Sequence, residues 1–160
     1  MAKLLAGSHI PILIKLVQMT DGPVLELGIG YNSTPLLHWL CGASRHLVSL
    51  EGDEKWVKKF QEYNVDRHIV KYIEDWDKAD IDNTHWSVVL IDHRPALRRK
   101  VDAERLKDKA DYILIHDSEP EINKFYRYTD IYPLFKYRHD YTAVKPNSVV
   151  LSNFKDLSNL

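Results

Sequence analysis

The sequence predicts an α/β fold built around one mostly parallel β-sheet with helices on both faces. Short apolar runs alternate with segments of helical pattern, as is typical of consecutive βαβ units. The apolar run of residues 86–91 is nearly unbroken, which indicates a parallel strand covered by helices on each side. With 160 residues, 44% of them apolar, the chain is long enough for one such domain, which we expect to span residues 1–160.

The composition argues against several classes of protein. The formal net charge is -1, so no overall charge excess points to nucleic acid or to an anionic membrane. Cys41 is the only cysteine, which excludes an intramolecular disulfide and favours a reducing, cytoplasmic location. Residues 1–6 do not resemble the start of a targeting signal, and the longest apolar run, residues 10–19, is interrupted by Lys15 and Gln18. We therefore expect no membrane span.

The first half of the chain is predicted to contain three helices and three strands. The first helix lies within residues 10–19, with Ser8 as its N-cap and Pro11 in its first turn. The other elements are predicted at residues 24–27 (strand), 34–41 (helix, ended by Gly42), 47–51 (strand), 52–63 (helix, started by Gly52-Asp53) and 69–72 (strand).

The second half is predicted to complete the sheet with parallel strands and then an antiparallel pair. Strands are expected at residues 86–91 and 112–115, and helices at residues 96–108 and 120–126. Residues 132–138 and 148–152 would follow as an antiparallel hairpin, because Lys145-Pro146-Asn147 between them is typical of a turn.

The turn between the first strand and the second helix is the strongest local signal in the sequence. Gly28 and Gly30 follow the strand directly, and glycine can adopt a positive φ that lets a ligand approach the backbone. Ser33 and Thr34 are natural N-caps, and the free N–H groups of the helix that they open would point at the turn. In open α/β sheets, small ligands bind at this edge.

Acidic residues stand at the ends of four predicted parallel strands: Glu26, Glu51, Asp92 and Asp117. Because parallel strands end at the same edge of a sheet, we expect these acids to gather there. Glu51 follows the glycine turn by about twenty residues, a position from which an acid commonly accepts hydrogen bonds from ribose hydroxyls. The pattern therefore predicts a site for a ribose-bearing ligand.

A dinucleotide is the less favoured ligand of this type. The dinucleotide fingerprint requires a third glycine, and Ser33 occupies that position here. The carboxylate of Glu26 would lie badly against a pyrophosphate but would suit a ligand with a cationic amino group. The chain also has no room for a second mononucleotide-binding half.

The ordered set of motifs resembles the class I S-adenosylmethionine-dependent methyltransferases. It consists of Glu26-Leu27-Gly28-Ile29-Gly30, Glu51 at the end of the second strand, Asp75-Trp76 after the third and Asp92 after the fourth. The resemblance covers roughly residues 10–154. It implies a Rossmann-like domain whose seven-stranded sheet ends in an antiparallel hairpin, with S-adenosyl-L-methionine lying across the C-terminal ends of the first strands.

The resemblance also implies which residues contact the cofactor: Glu26, Gly28, Gly30, Ser33, Glu51, Gly52, Asp75, Trp76 and Asp92. The two glycines would face the methionine portion, and Glu26 would help to hold its amino group through the turn. Glu51 would bind the ribose, and Asp75 would reach the adenine amino group with Trp76 packed nearby. A place in the hydrophobic core is an equally good expectation for Trp76.

The residues after the fourth and fifth strands bear on the methyl acceptor. Ile91-Asp92-His93-Arg94-Pro95 departs from the Asn/Asp-Pro-Pro-Tyr/Phe motif of relatives that methylate nucleobase or amide nitrogens. Asp92-His93 together with His116-Asp117 is more similar to small-molecule O-methyltransferases. We therefore expect an oxygen of a small molecule or sugar as the acceptor. The chain lacks long insertions, so the acceptor site is either open or completed by a second subunit of a homo-oligomer.

Two chemical roles are predicted at this place. His93, with Asp92 beside it, is the expected general base, because an unperturbed imidazole is largely neutral near pH 7. Alternatively, Asp92 and Asp117 hold a Mg²⁺ ion, which binds oxygen ligands and would lower the pKa of the acceptor hydroxyl.

Three other functions stay open. The chain could be a catalytically silent S-adenosylmethionine-binding subunit or regulator, or an enzyme that cleaves the cofactor without an acceptor. Residues 124–128 and 136–139 interleave basic and aromatic side chains, as some RNA-binding surfaces do, so an RNA methyltransferase is a further alternative.

Other conspicuous side chains are expected to be structural. Trp39, Trp56 and Trp86 are predicted core residues. The basic residues of two predicted helices are expected to lie on solvated faces: Lys58, Lys59, Arg98, Arg99 and Lys100.

Overall fold

A seven-stranded β-sheet forms the centre of the protein, whose computed structural model describes residues 7–160. Its strands are β1 (Val24–Leu27), β2 (Leu47–Glu51), β3 (His68–Tyr72), β4 (Trp86–Ile91), β5 (Ala110–His116), β6 (Tyr137–Tyr141) and β7 (Ser148–Ser152). Their order across the sheet is β3-β2-β1-β4-β5-β7-β6. Strands β1 to β5 are parallel, whereas β7 is antiparallel to β5 and β6. The predicted α/β class with a closing antiparallel hairpin is confirmed.

Five helices accompany the sheet in the described part of the chain: α1 (Ile10–Gln18), α2 (Ser33–Cys41), α3 (Glu54–Lys58), α4 (Arg98–Leu106) and α5 (Asn123–Tyr126). None of the helices formed by residues 7–160 has the length and apolar character needed to cross a membrane. The expectation about a targeting signal in residues 1–6 lies outside the described residues. The cytoplasmic location and the homo-oligomer stay predictions.

Two apolar layers cover the opposite faces of the sheet. Alternate residues of β4 enter different layers: Val88 and Leu90 pack in the layer of α1 and α2, while Val89 and Ile91 pack in the layer of α4. This alternation follows from the two-residue period of a strand, and it requires both faces of β4 to be buried. The prediction from the unbroken apolar run is therefore confirmed, as is the core position of Trp86.

Helix boundaries differ from the sequence prediction where capping was expected. Ser8 does not cap α1, because its hydroxyl donates to the carbonyl of Pro146 instead. Helix α2 begins at Ser33, after Asn32, and no side chain caps it; the hydroxyl of Thr34 bonds elsewhere. Gly42 ends α2 with a φ of +54°, as predicted.

Helices α3 and α4 are shorter than predicted. The backbone after α3 tightens into i→i+3 hydrogen bonds at Lys59 and Phe60, and a separate 3₁₀ turn follows at Gln61–Tyr63. Asp53 caps α3 with hydrogen bonds from the N–H groups of Lys55 and Trp56. Helix α4 starts at Arg98 instead of residue 96.

The antiparallel hairpin begins later than predicted. Tyr132–Leu134 forms a 3₁₀ turn, and β6 starts only at Tyr137. Pro133 lacks an N–H group and favours turns over strands that pair on both sides. The pairing of β6 with β7, in which Tyr137 lies opposite Ser152, agrees with the predicted hairpin.

One predicted core residue lies on the surface. The side chain of Trp39 on α2 is 76% exposed, so its assignment to the core was wrong. It follows the buried Leu37 on α2, and a shift of two positions around a helix turns a side chain away from the core. Lys58 and Lys59 are exposed, as predicted.

Candidate ligand-binding site

Three neighbouring cavities lie at the C-terminal edge of the sheet. The wide cavity, about 870 Å³, is bounded by Asp92, Arg99, His116, Asp117 and Tyr126 among others. The Glu51 cavity, about 360 Å³, lies between Ile29, Glu51 and His93. The Gly30 cavity, about 300 Å³, adjoins the glycine turn and the start of α2. Asp92 and Trp56 line all three cavities, so these two residues lie where the cavities adjoin.

Gly28 allows the ends of β1 and β4 to come together. Its φ is +99°, and a Cβ atom there would lie 2.6 Å from the carbonyl carbon of Asp92 and 2.7 Å from the nitrogen of His93. Its N–H donates to the carbonyl of Leu50. A side chain at this position would therefore displace the backbone that carries Asp92 into the cavities.

Glu26 supports the glycine turn from inside the protein. Its carboxylate is fully buried and accepts a hydrogen bond of 2.9 Å from the hydroxyl of Thr34, which in turn accepts the N–H of Gly30. Ser49 also donates its hydroxyl to Glu26. Burial raises the pKa of Glu26 to about 7, although the hydrogen bonds from Ser33, Ser49 and Thr34 favour the carboxylate. Glu26 thus acts through the turn and lines none of the three cavities.

A chain of hydrogen bonds leads from Glu26 towards the surface. Nε2 of His68 lies 2.8 Å from the Ser49 hydroxyl, and Nδ1 of His68 lies 3.0 Å from Nδ1 of the half-buried His38. Because Ser49 gives its one proton to the carboxylate, His68 must donate through Nε2 and accept through Nδ1. Burial lowers the pKa of His68 to about 4, so the ring is neutral at pH 7.

Glu51 lies where the sequence predicts it, on the wall of the Glu51 cavity. Its carboxylate accepts the backbone N–H groups of Ile29 at 3.1 Å, Gly52 at 2.7 Å and Asp53 at 3.1 Å. These bonds join the end of β2 to the glycine turn. A Cβ at Gly52 would lie 3.2 Å from the indole nitrogen of Trp76, so Gly52 permits the close packing of that ring.

Asp75 and Trp76 line none of the three cavities. Asp75 accepts the N–H of Asp77 at the start of a 3₁₀ turn, and this backbone hydrogen bond together with Lys78 lowers its pKa. Trp76 is buried in the core and packs against His93, with ring centroids 4.3 Å apart. The core position stated for Trp76 agrees with this burial. Contact of either residue with adenine stays a prediction.

His93 is held in a buried network behind the cavities. It is 1% exposed, and its Nε2 lies 2.8 Å from the fully buried carboxylate of Asp102. Arg98 and Arg105 pair with the same carboxylate. Burial lowers the pKa of His93, and the Asp102 hydrogen bond opposes this effect. His93 borders the Glu51 cavity, but this geometry does not favour it as the general base, and that role stays a prediction.

Arg99 joins the ends of β4 and β5, so its prediction as a solvated side chain was wrong. It is 5% exposed, and its guanidinium donates to the backbone carbonyls of Asp92, His93 and His116. It also pairs with the carboxylates of Asp92 at 2.8 Å and Asp117 at 3.0 Å. Such a buried charge is tolerated because it makes four hydrogen bonds and pairs with two carboxylates.

Arg98 and Lys100, which were also expected on a solvated face, are paired instead. Arg98 binds Asp102 and Asp77, and its side chain is mostly buried. Lys100 pairs with Asp130 at 2.8 Å. Charge alone misled the sequence prediction, because Asp77 and Asp130, which pair with Arg98 and Lys100, lie 21 and 30 residues away in the sequence.

The guanidinium of Arg99 lies where an ion between Asp92 and Asp117 would have to lie. Both carboxylates bind it, so the described residues offer no support for Mg²⁺ held by these two acids. Burial alone would raise the pKa of Asp92, but the His116 hydrogen bond and the charge of Arg99 hold it below its usual range. Asp117 has a φ of +57° and also accepts the hydroxyl of Tyr126.

Solved structures share this architecture, although no family model and no curated protein matches the chain. An O-methyltransferase from Bacillus cereus in complex with SAH has a TM-score of 0.65 and 15% identity over 92% of this chain and 80% of its own. Human methyltransferase-like protein 13 in complex with SAH has a TM-score of 0.64 and 13% identity over 92% and 78%. The N-terminal domain of human METTL16 in complex with SAH has a TM-score of 0.59 and 14% identity over 92% and 69%.

The chain has the class I methyltransferase fold. The resemblance inferred from the sequence motifs is confirmed at this level. Within the class I methyltransferase fold, the three cavities lie at the C-terminal edge, where open α/β sheets bind ligands.

Trp56 forms a wall common to the three cavities, which the core prediction did not anticipate. It is half-buried, and its indole nitrogen donates to the carbonyl of Ile29 at 2.6 Å. Tyr31 packs on it edge to face, with ring centroids 5.0 Å apart. The indole is thus fixed to the glycine turn of the methyltransferase fold, between the Glu51 cavity and the wide cavity.

His116 joins Asp92, Ser8 and His9 where the wide cavity adjoins the Gly30 cavity. Nδ1 of His116 lies 3.3 Å from Asp92 Oδ1, and Nε2 lies 2.9 Å from the hydroxyl of Ser8. The ring of His9 lies 4.5 Å from that of His116. The local pattern predicts only a capping role for Ser8 and none for His9. These contacts could not be read from it, because they join the start of α1 to the end of β5.

Proposed function

We propose that this protein is an S-adenosylmethionine-dependent methyltransferase. The observation that carries the proposal is the arrangement of Glu51 and the glycine turn around two adjoining cavities, with a third, wider cavity beyond Asp92 and Trp56. A cofactor held in the first two would expose its reactive end to the third.

The residues present fit this cofactor. A half-buried carboxylate at the end of β2 suits a pair of ribose hydroxyls, because Glu51 can exchange its backbone partners for hydroxyl donors. The nine-residue helix α2 starts beside the Gly30 cavity, so its free N–H groups suit a carboxylate there. Bound S-adenosylmethionine supplies an electrophilic methyl group on a sulfonium.

The protein's own contribution is position and proton removal. Methyl transfer from a sulfonium is an in-line displacement, so the acceptor must be aligned and must lose its proton. Asp92 lies at the junction of the three cavities and can accept a hydrogen bond from an acceptor hydroxyl at a carboxylate oxygen. It is better placed for this than His93, whose side chain is fully buried.

A small molecule with a hydroxyl group is the acceptor that we favour. The wide cavity combines apolar side chains of Ile122, Phe125 and Tyr126 with the basic Arg94. This lining suits an aromatic or sugar-like compound with an anionic substituent. An RNA acceptor is the alternative, since Lys124 stacks on Phe125 at the same rim.

Binding tests the cofactor assignment first. Calorimetric titration should show binding of S-adenosylmethionine and S-adenosylhomocysteine but not NAD. Glu51→Ala should weaken binding about ten- to a hundredfold, which corresponds to about 1.5–3 kcal/mol for hydrogen bonds to a charged group. Glu62→Ala is a matched control, because Glu62 is an exposed acid on the turn after α3. Absence of binding by both ligands would refute the proposal, and binding of NAD alone would favour the dinucleotide alternative.

Turnover separates an enzyme from a silent cofactor-binding subunit. The silent alternative is favoured by one observation: Arg99 already pairs with both carboxylates at the wide cavity. Methyl-labelled S-adenosylmethionine should be incubated with pools of catechols, sugars and RNA. Label in a small-molecule pool supports the favoured acceptor, and label in RNA supports the alternative. Release of S-adenosylhomocysteine should follow the labelled product in equal amount. Tight binding without any transfer would identify a silent subunit, and cofactor breakdown without an acceptor would identify a cleaving enzyme.

A further inference from the structure

We propose that His9, His116 and Asp92 form a binding site for a transition-metal dication such as Zn²⁺, between the wide cavity and the Gly30 cavity. One ligand atom from each of the three residues lies within 4.8 Å of the others. The site shares Asp92 with the proposed acceptor position, and His9 lines the Gly30 cavity. Metal binding is nevertheless a property beyond the proposed function, and it is tested without S-adenosylmethionine.

His9 supplies the first reason. Its ring is 2% exposed, and neither Nδ1 nor Nε2 has a hydrogen-bond partner. A buried polar group without a partner lowers the stability of the folded state by about 1–3 kcal/mol. A bound ion that contacts the imidazole would remove this cost.

The hydrogen bonds around Ser8 fix the proton on His116. The Ser8 hydroxyl lies 2.6 Å from the carbonyl of Pro146, which can only accept, so its single proton is used there. The Ser8 oxygen must then accept from Nε2–H of His116 at 2.9 Å. In the neutral ring, Nδ1 consequently carries a lone pair and faces the carboxylate of Asp92.

A lone pair that faces a carboxylate is unfavourable unless a positive charge lies between them. A proton on Nδ1 would provide that charge, and although burial opposes it, Asp92 and Asp117 favour that proton by raising the pKa of His116. The distance of 3.3 Å to Asp92 is nevertheless long for a charge-assisted bond, which is typically about 2.7–2.9 Å. A proton there would also leave both nitrogens of His9 without a partner. A metal ion accounts for His116, Asp92 and His9 together.

The surroundings match those of known metal-binding histidines. A ligating histidine usually donates its other ring N–H to a fixed acceptor, and the Ser8–Pro146 pair is such an acceptor. Arg99 balances only one of the two nearby carboxylates, Asp92 and Asp117, so negative charge remains for a dication. Donor atoms of a tetrahedral Zn²⁺ site lie about 3.4 Å apart, which requires a small inward rotation of the side chains.

The donor set also selects the class of metal. Two imidazoles and one carboxylate suit Zn²⁺, Co²⁺ or Fe²⁺, whereas Mg²⁺ prefers oxygen ligands and retains water. The site is therefore different from the Mg²⁺ site that the sequence suggested between Asp92 and Asp117.

The experiment titrates the metal-free full-length protein with Co²⁺, followed by visible absorption, and then displaces it with Zn²⁺. We expect one ion per chain and no competition from millimolar Mg²⁺. His9→Gln should weaken binding at least about a hundredfold and Ser8→Ala about tenfold, as losses of a ligand and of a supporting partner do. His85→Gln is the matched control, because His85 pairs with Asp111 at 3.0 Å on the exposed surface. The metal affinity of His85→Gln should equal that of the wild type.

A second measurement needs no variant. In a ¹⁵N spectrum of histidine side chains, Zn²⁺ should shift the ring nitrogens of two of the eight histidines. Failure to bind one Co²⁺ or Zn²⁺, unchanged affinity in a folded His9→Gln protein, or shifts confined to other histidines would each overturn the proposal. Since no cofactor is present, these outcomes leave the methyltransferase proposal intact.

Discussion

The buried acid Glu26 should make the stability of this protein depend on pH in an unusual direction. Its pKa rises from 4.5 in an exposed chain to about 7 in the folded protein, chiefly through burial. Between these pH values the folded state holds a proton that the unfolded state has released. The stabilisation is therefore complete below pH 4.5 and is lost as the pH rises through about 7.

The size of the effect follows from the two pKa values. At about 1.4 kcal/mol for each pH unit between them, the free energy of unfolding should fall by about 3 kcal/mol as the pH rises across this window. Glu26→Gln removes the titrating group and keeps its size. The difference in stability between wild type and Glu26→Gln isolates this contribution, because the other groups titrate in both proteins.

Urea denaturation at a series of pH values from 4.5 to 8 measures this difference. Ser49→Ala provides a second check, since it removes a hydrogen bond that favours the carboxylate. The loss of stability should then extend to higher pH. Parallel curves for wild type and Glu26→Gln across the whole range would refute the assignment of a buried, proton-binding Glu26.

Two other sets of variants test the architecture of the site. Gly28→Ala should lower the free energy of unfolding by more than the about 1–2 kcal/mol of a left-handed residue, because its Cβ would also overlap the backbone of Asp92. Gly30→Ala, whose Cβ meets only the Ser33 hydroxyl at 3.3 Å, should cost less than about 1 kcal/mol in the same urea assay. His93→Ala should lower the free energy of unfolding by about 1.5–3 kcal/mol through the lost bond to Asp102. A stable His93→Ala protein without turnover would instead restore His93 as the general base.

The order of strands and helices could be predicted because it depends on local pattern. Apolar runs such as β4 and the strand-to-turn transition at Gly28 are short signals that need no knowledge of distant residues. The placement of Glu51 on a cavity wall follows from the parallel sheet alone. The start of β6 was missed because a strand and a 3₁₀ turn share the same aromatic and apolar residues around Pro133.

The side chains that assemble the site could not be predicted in the same way. Arg99 belongs to a helix rich in charged residues. The acceptors that allow its burial lie at the ends of β4 and β5, which come together only in the folded sheet. No residue next to His9 in the sequence indicates a role for it. Its candidate role as a ligand depends on its contact with His116. His93 was predicted as the general base because it follows Asp92, but its side chain is buried and bonded to Asp102. These contacts depend on how the segments pack together, and a single sequence carries no trace of them.

The hydrogen bond between Ser8 and Pro146 has a consequence for folding. It joins positions 138 residues apart, the start of α1 and the turn before β7. Closing such a long loop comes late, after the local helices and the first parallel pairs have formed. The cluster around His116 is therefore complete only when the last hairpin has docked. A ligand held there would bind the finished protein and no partly folded form, and its stabilising effect on melting would report on that final step.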